Sequence, residues 1–277
     1  LACASQRIPI DLNGYTLTGA SKTYGKGQNQ KVIDTAITAW DGNLTIMNGT
    51  ISGRVNAYDN STLNLDSSLT INGYLVVYGE GEEGTPSAKT PTANVNCTIN
   101  STNEACTVVD GSSFAISTNG LDKSGAVINI GDGAMVSAKS TAAIYLPSGT
   151  LNVKGGTIIG ATGIYMKSSV LNVTGGTIIG NGEKAGVVEN NNGFESTGDA
   201  IIIEYSEPVY GKITGLNISG GELISKNGEA IHQYERESNS DDNTVRSDFI
   251  NGGIFSDSGM LDLVDDDVKL VVKGNGK

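Results

Sequence analysis

Basic residues are scarce in this chain, and so are aromatic ones. Eighteen Lys and Arg stand against thirty Asp and Glu, a formal net charge of −12, so phosphate backbones and anionic lipid surfaces repel it and nucleic acid is excluded as a partner. No run approaches the ~20 apolar residues that a helix needs to cross a bilayer, and no charged segment followed by an apolar one opens the sequence. Membrane insertion is therefore not expected. Aromatic residues make up 5% of the chain, with a single Trp and a single His, and no stretch shows the apolar period of an amphipathic helix. Together these absences exclude a helical protein.

Glycine is what the chain has in quantity: 38 residues, enough to turn a corner every few positions around a thin aliphatic core. The glycines fall into a repeat. Leu151-Asn-Val-Lys-Gly-Gly-Thr-Ile-Ile-Gly160 returns as Leu171-Asn-Val-Thr-Gly-Gly-Thr-Ile-Ile-Gly180, and looser copies begin at Leu44, Ile128, Leu216 and Phe249. A period near twenty marks a solenoid, whose repeats bury their apolar sides by stacking on one another. Within a repeat, Leu151 and Val153 alternate with Asn152, the signature of a half-buried strand. Gly155-Gly156 then turns the chain, Thr157-Ile158 opens a second strand, and Gly163-Ile-Tyr-Met166 supplies a third. Three short strands and three corners describe one coil of a parallel β-helix, and the length predicts roughly ten to twelve coils. A leucine-rich repeat is excluded because its leucine ladder is missing.

Near the start, Ile10-Asp-Leu-Asn-Gly-Tyr-Thr-Leu17 reads as strand, Asn-Gly turn and strand. This opening, followed by coils of the L-x-I-x-G-G-x-I type, resembles the right-handed β-helix domains of bacterial surface proteins, related in fold to pectate lyases, over about residues 8 to 256. The resemblance implies a right-handed, all-β parallel solenoid on an extracellular or cell-surface protein that contacts polysaccharide. The motifs of the polygalacturonase-like enzymes are absent: Gly198-Asp-Ala carries one carboxylate of an expected pair, and the lone His232 is not flanked by glycines. No column of aspartates suggests the calcium site of a pectate lyase. Asp241-Asp242 and Asp265-Asp-Asp267 are the only candidates for a structural calcium, and they read as solvated charge, so no cofactor is expected.

Superposing the coils shows what should project outward. If Ile144 and Leu146 face the core, Tyr145 faces solvent, and the same register carries Tyr165, Ile202 and His232 outward in turn. The neighbouring column reads Trp40, Tyr58, Tyr78, Asn119, Pro147, Lys167, Glu204, Tyr234. Flat rings on a rigid strip suit sugar faces, although a tyrosine column also stabilises a sheet by roughly 0.2–1 kcal/mol per pair without any ligand. Three detours gather here: 181–199, Ser206 to Gly211, and Glu235 to Asn243, and loops on a rigid scaffold are where binding or chemistry concentrates. Were the protein an enzyme, Lys167, Glu204, His232 and Glu235 would supply an acid–base pair or a lyase base. Thr157 and Thr177 make only two rungs, too few for an ice-binding ladder.

The whole chain, 1–277, reads as one β-helix domain taken from a longer protein, with 257–277 as a charged cap that blocks end-to-end pairing. Leu1-Ala-Cys-Ala is either the tail of a lipoprotein signal, Cys3 being the acylated residue, or the end of an upstream strand. Cys97 and Cys106 either close a small disulfide loop in an exported protein or remain two buried thiols. The sequence therefore predicts a monomeric carbohydrate-binding, adhesin-like module whose partner is a polysaccharide or host-surface glycan. A polysaccharide lyase or glycoside hydrolase on the same face, and a spacer that holds another domain away from the envelope, are the alternatives.

Overall fold

In the computed structural model of the chain, the described residues are 7–24, 31–79, 88–101, 114–120, 125–187, 197–236, 245–269 and 271. They form a parallel β-helix. Apart from the antiparallel hairpin of strands Ala20–Tyr24 and Lys31–Trp40, every strand pairing among them is parallel and joins one coil to the next. Each coil contributes a strand to three faces. The first face runs from Arg7–Asp11 and Asn43–Met47 through Thr150–Val153 and Val170–Val173 to Gly215–Ser225 and Ile250–Phe255. The second contains Thr98–Ser101, Thr157–Gly160 and Thr177–Gly180. The third contains Ala142–Leu146, Thr162–Met166, Ile201–Tyr205 and Ile231–Glu235.

The repeat stacks in the register read from the sequence. Leu151 pairs with Leu171, Val153 with Val173 and Ile158 with Ile178, and these six, with Ile164, are fully buried. Burying each such side chain stabilises the stack by about 1.5–3 kcal/mol. Asn152 and Asn172 point the other way, and there they form a ladder. The side-chain amide of Asn94 donates to Asn64 Oδ1 at 2.8 Å, Asn129 to Asn94 at 2.8 Å, Asn152 to Asn129 at 2.9 Å and Asn172 to Asn152 at 2.9 Å. Each half-buried amide thus satisfies its neighbour, which is the reason the position repeats as asparagine.

Glycine makes the corners possible. Gly156 and Gly176 have φ of 71° and 81°, and a Cβ on Gly176 would stand 2.5 Å from the Gly155 carbonyl oxygen. In the early coils strands Gly49–Tyr58 and Leu69–Tyr78 each run through a corner without a break. They bend at Gly53 and Gly73, where a Cβ on Gly73 would meet the Gly53 carbonyl oxygen at 2.1 Å.

The first face shows nine rungs among the described residues, beginning at residues 7, 43, 62, 92, 127, 150, 170, 215 and 250, fewer than the ten to twelve that a uniform period predicts. Several coils carry detours, so residues go into excursions instead of rungs. On the second face, Thr16, Thr50, Thr70, Thr98, Thr157 and Thr177 fall in one column with Met135 interrupting it; the two rungs legible in the sequence are six. At the far end, Met260, Leu263 and Val264 join the core cluster, and Val264 bridges to Ile250.

Candidate functional site

The first outward column of the third face exists as aligned, and the second does at its two ends. Tyr145 pairs with Tyr165, Tyr165 with Ile202 and Ile202 with His232. In the second column Trp40 pairs with Tyr58, Tyr58 with Tyr78, and Glu204 with Tyr234. Their exposure divides the face in two.

In the late coils the outside of the sheet is covered. Tyr145 is 7% exposed, and Tyr165 and Ile202 are fully buried, which corrects the expectation of solvent-facing rings. They form a second apolar cluster outside the solenoid with Phe114 and Ala142, Val187 packing against it. The Phe114 ring stacks on Tyr145 with centroids 4.9 Å apart, and Tyr145 meets Tyr165 at 5.8 Å. Phe114 and Val187 lie in the irregular stretches between strands of these coils, and their side chains cover the strip.

Lys167 and Glu204 lie under the same cover, both fully buried. Lys167 Nζ is 3.1 Å from Glu204 Oε1, an ion pair that falls short of a well-aligned hydrogen bond. The Tyr165 hydroxyl donates to Glu204 Oε2, and Arg236 Nη1 lies 4.0 Å from Oε1. The short helix Glu207–Tyr210, which Pro208 helps to start, lays the buried Tyr210 over this pair. Its ring centroid is 4.5 Å from the Lys167 ammonium, and its hydroxyl bonds that of Tyr145. Burial lifts the Tyr145 phenol well above its ordinary range, with Tyr210 and the Glu204 carboxylate adding to the effect. Groups closed off from water cannot exchange protons with a substrate, so as placed they fasten the cover.

His232 sits at the edge of the covered zone with its side chain 28% exposed. Its Nδ1 is 3.0 Å from Asp199 Oδ2, and Asp199 is held in turn. Thr197 Oγ1 donates to Oδ2 at 2.5 Å, and the Glu229 backbone N–H donates to Oδ1 at 2.7 Å. The hydrogen bond to Asp199 raises the His232 pKa above its ordinary value, against the opposing effect of burial. Lys184, 3.8 Å from Glu229, completes the charges around the ring. Tyr234 is half-buried two residues along the strand and Glu235 is exposed. Sequence reasoning passed over Asp199, Thr197, Tyr210 and Arg236. Gly198-Asp-Ala was visible only as a broken pair of carboxylates, and the register Ile202 to His232 is what brings Asp199 beside the imidazole.

The early coils are different. Trp40 is 41% exposed, and it meets Tyr58 edge to face at 5.6 Å, as Tyr58 meets Tyr78 at 5.7 Å. Polar groups flank the three rings. Arg54 Nη2 donates to the Tyr58 hydroxyl and its Nε to Asn56 Oδ1, and the Asn56 amide donates to Thr38 Oγ1 at 2.9 Å. Beside Trp40 the interior of the first coil opens as an apolar cavity of about 330 Å³, lined by Ile10, Leu17, Ala36, Ile37 and Leu44.

Of the remaining expectations, Cys97 is a buried free thiol that burial pushes up to about 12, whereas Cys3 and Cys106 lie outside the described residues. So do most of 181–199 and of Glu235 to Asn243, with Asp241 and Asp242. Among the described residues no three His, Cys, Asp or Glu side chains converge on a metal-sized space, and no helix is long and apolar enough to cross a membrane. The fold and its face define a parallel β-solenoid with one covered aromatic strip and one that is exposed at Trp40 and half-buried at Tyr58 and Tyr78. Beyond that class, no protein family, curated protein or solved structure matches the chain.

Proposed function

We propose that the chain is an extracellular carbohydrate-binding module, an adhesin-like solenoid of a bacterial surface protein of the pectate-lyase-like type, with a polysaccharide or host-surface glycan as its ligand. The observation that carries this reading is the strip Trp40–Tyr58–Tyr78, exposed at Trp40 and half-buried at the two tyrosines. Three rings, including the only Trp of an aromatic-poor chain, lie one coil apart on a rigid sheet, with Arg54, Asn56 and Thr38 beside them. Rings fixed in this way offer apolar faces to the C–H faces of sugar rings, and the half-buried Thr38 hydroxyl and Arg54 guanidinium beside them serve the sugar hydroxyls, with Asn56 buried between the two as their spacer. An edge-to-face stack with no ligand would be worth about 0.5–1.5 kcal/mol per pair. That stack alone does not require Trp40 to stay exposed.

The purified protein should be screened on a glycan array, then titrated as wild type and as Trp40→Ala/Tyr58→Ala. The double variant should lose about one to two decades of affinity with its circular dichroism unchanged. Glycan binding that survives in the folded double variant refutes this assignment of the site.

A second reading, a polysaccharide lyase or glycoside hydrolase, is favoured by one observation: Asp199 orients the imidazole of the partly exposed His232, the arrangement of an acid–base dyad. It requires release of reducing ends or unsaturated products that His232→Gln abolishes. Silence in both the binding and the turnover assays leaves the spacer.

A further inference from the structure

The third corner of the solenoid, between the third face and the first, holds a cleft of about 370 Å³ in the late coils, within the size range of small-ligand sites. Its origin is a mismatch between successive coils. Ser148-Gly149-Thr150 and Ser168-Ser169-Val170 turn this corner tightly and lie one above the other. The next coil does not turn there. It detours through the helix Glu207–Tyr210 and returns along Gly211 to Thr214, and the cleft is the space between that detour and the two corners.

The wall is fixed, which distinguishes the cleft from a gap beside a loose loop. Ser168 Oγ donates to the Lys212 carbonyl at 3.1 Å, and the Gly211 N–H donates to the Glu207 carbonyl at 2.9 Å. Tyr210, buried against the Lys167 ammonium, anchors the other side. The buried Lys167–Glu204 pair therefore holds one wall of an open cleft.

The lining selects a ligand class. It is built from serine and threonine hydroxyls, glycine backbone and one edge of a tyrosine. The Ser168 and Ser169 hydroxyls donate to backbone carbonyls, so their lone pairs remain as acceptors. Among the described residues the Thr150 and Thr214 hydroxyls have no hydrogen-bond partner and retain both functions. The one charged side chain in the lining, Lys212, is matched by Glu207 at 3.3 Å, leaving no net charge to attract an anion.

We infer that this cleft is a second sugar subsite, taking a neutral hexose unit through hydroxyl-to-hydroxyl hydrogen bonds and excluding uronates. The inference rests on the glycan reading above but concerns a different place, the far end of the same solenoid from Trp40.

The experiment is an NMR titration of the wild-type protein with cellohexaose, maltohexaose, mannohexaose and chitohexaose, and with hexagalacturonate as the acidic probe. At least one neutral sugar should shift the Gly149, Gly211 and Thr214 amides together, and the galacturonate should not. Thr214→Trp, a change at an exposed position that fills the cleft, should weaken that sugar at least tenfold with its melting curve unchanged. Lys212→Ala should change it less than twofold. If the sugars move the Trp40 indole but not the cleft amides, the subsite is refuted and the glycan reading stands; if they move neither at millimolar concentration, both fall. Equal or tighter binding of galacturonate, or a tenfold loss in Lys212→Ala, overturns the neutral class.

Discussion

Replacing Lys167 by Met tests whether the late face is closed. The substitution keeps the length of the side chain and removes an ammonium 3.1 Å from a fully buried carboxylate. Removing one member of a buried pair costs about 3–5 kcal/mol, because the other is left charged without a counterion. Here Arg236 stays 4.0 Å away and the Tyr165 hydroxyl still donates to Glu204, so the lower end, about 3 kcal/mol, is expected. A solenoid is stabilised by nearest neighbours, so the loss should stay in the late coils. The only Trp, Trp40, lies in the early ones and makes a convenient control. In a urea titration of Lys167→Met, far-UV circular dichroism should show an earlier transition, while the Trp40 fluorescence midpoint moves little. Amide exchange at Tyr210 and Gly211 should accelerate. The double variant Lys167→Met/Glu204→Leu should recover more than half of the loss, since replacing both charges by apolar groups is far less costly than stranding one. A cost below about 1 kcal/mol for Lys167→Met would mean that the pair is solvated. The cover would then be open in solution, and Lys167 and Glu204 would return as groups a substrate can reach.

Other outcomes follow from single positions. Val173→Asp puts an unpaired carboxylate into the core, costs several kcal/mol and should unfold the neighbouring coils, seen as loss of β-sheet circular dichroism at neutral pH. Gly176→Ala places a Cβ against the Gly155 carbonyl at a φ of 81°, and thermal melting should report a loss of about 1–3 kcal/mol. Because the folded pKa of His232 is raised, the stability it contributes is complete below the unfolded value of about 6.5 and is lost as pH rises through the folded value. NMR titration of this lone imidazole should give a midpoint above 6.5 that falls in Asp199→Asn, with Glu229 and Lys184 the other charges in play. The threonine column should cause no thermal hysteresis. Met135 breaks it, and the adjacent positions Thr18, Ser52, Asn72, Asn100, Ser137, Ile159 and Ile179 form no second regular row.

Where the repeat is nearly exact, the fold was legible in detail. Alternation in Leu151-Asn-Val and the double glycine at 155 and 156 set which side chains turn inward and where the chain turns, and both are local properties of a strand and a left-handed corner. The Asn ladder was legible only as an outward position, because a hydrogen bond between coils is invisible until the register between them is known. Among the described residues the first face has nine rungs, fewer than a uniform period predicts, for a related reason. A period measured on the two cleanest copies says nothing about the segments inserted elsewhere, and in a solenoid an insertion lengthens a coil without breaking the stack.

The site was legible in register and illegible in exposure, and the cause is the same insertions. Alternation along Ile144-Tyr-Leu146 says only which side of the sheet Tyr145 occupies. Outside the sheet means solvent only if nothing folds back across it. Phe114, Val187 and Tyr210 do fold back, and each comes from a segment that reads as polar or irregular and offers no periodic signal. A buried Lys and Glu beneath that cover is the physical mark of a roofed surface, since neither charge tolerates an apolar site unpaired. The pairing Lys167 to Glu204 was therefore present in the alignment of the columns, one coil apart. Two opposite charges stacked beside three tyrosines are better explained by an outer layer that needs fastening than by a catalytic pair awaiting substrate. Phe114, Val187 and Tyr210 all pack on the late coils, and Trp40, in the early ones, stays exposed.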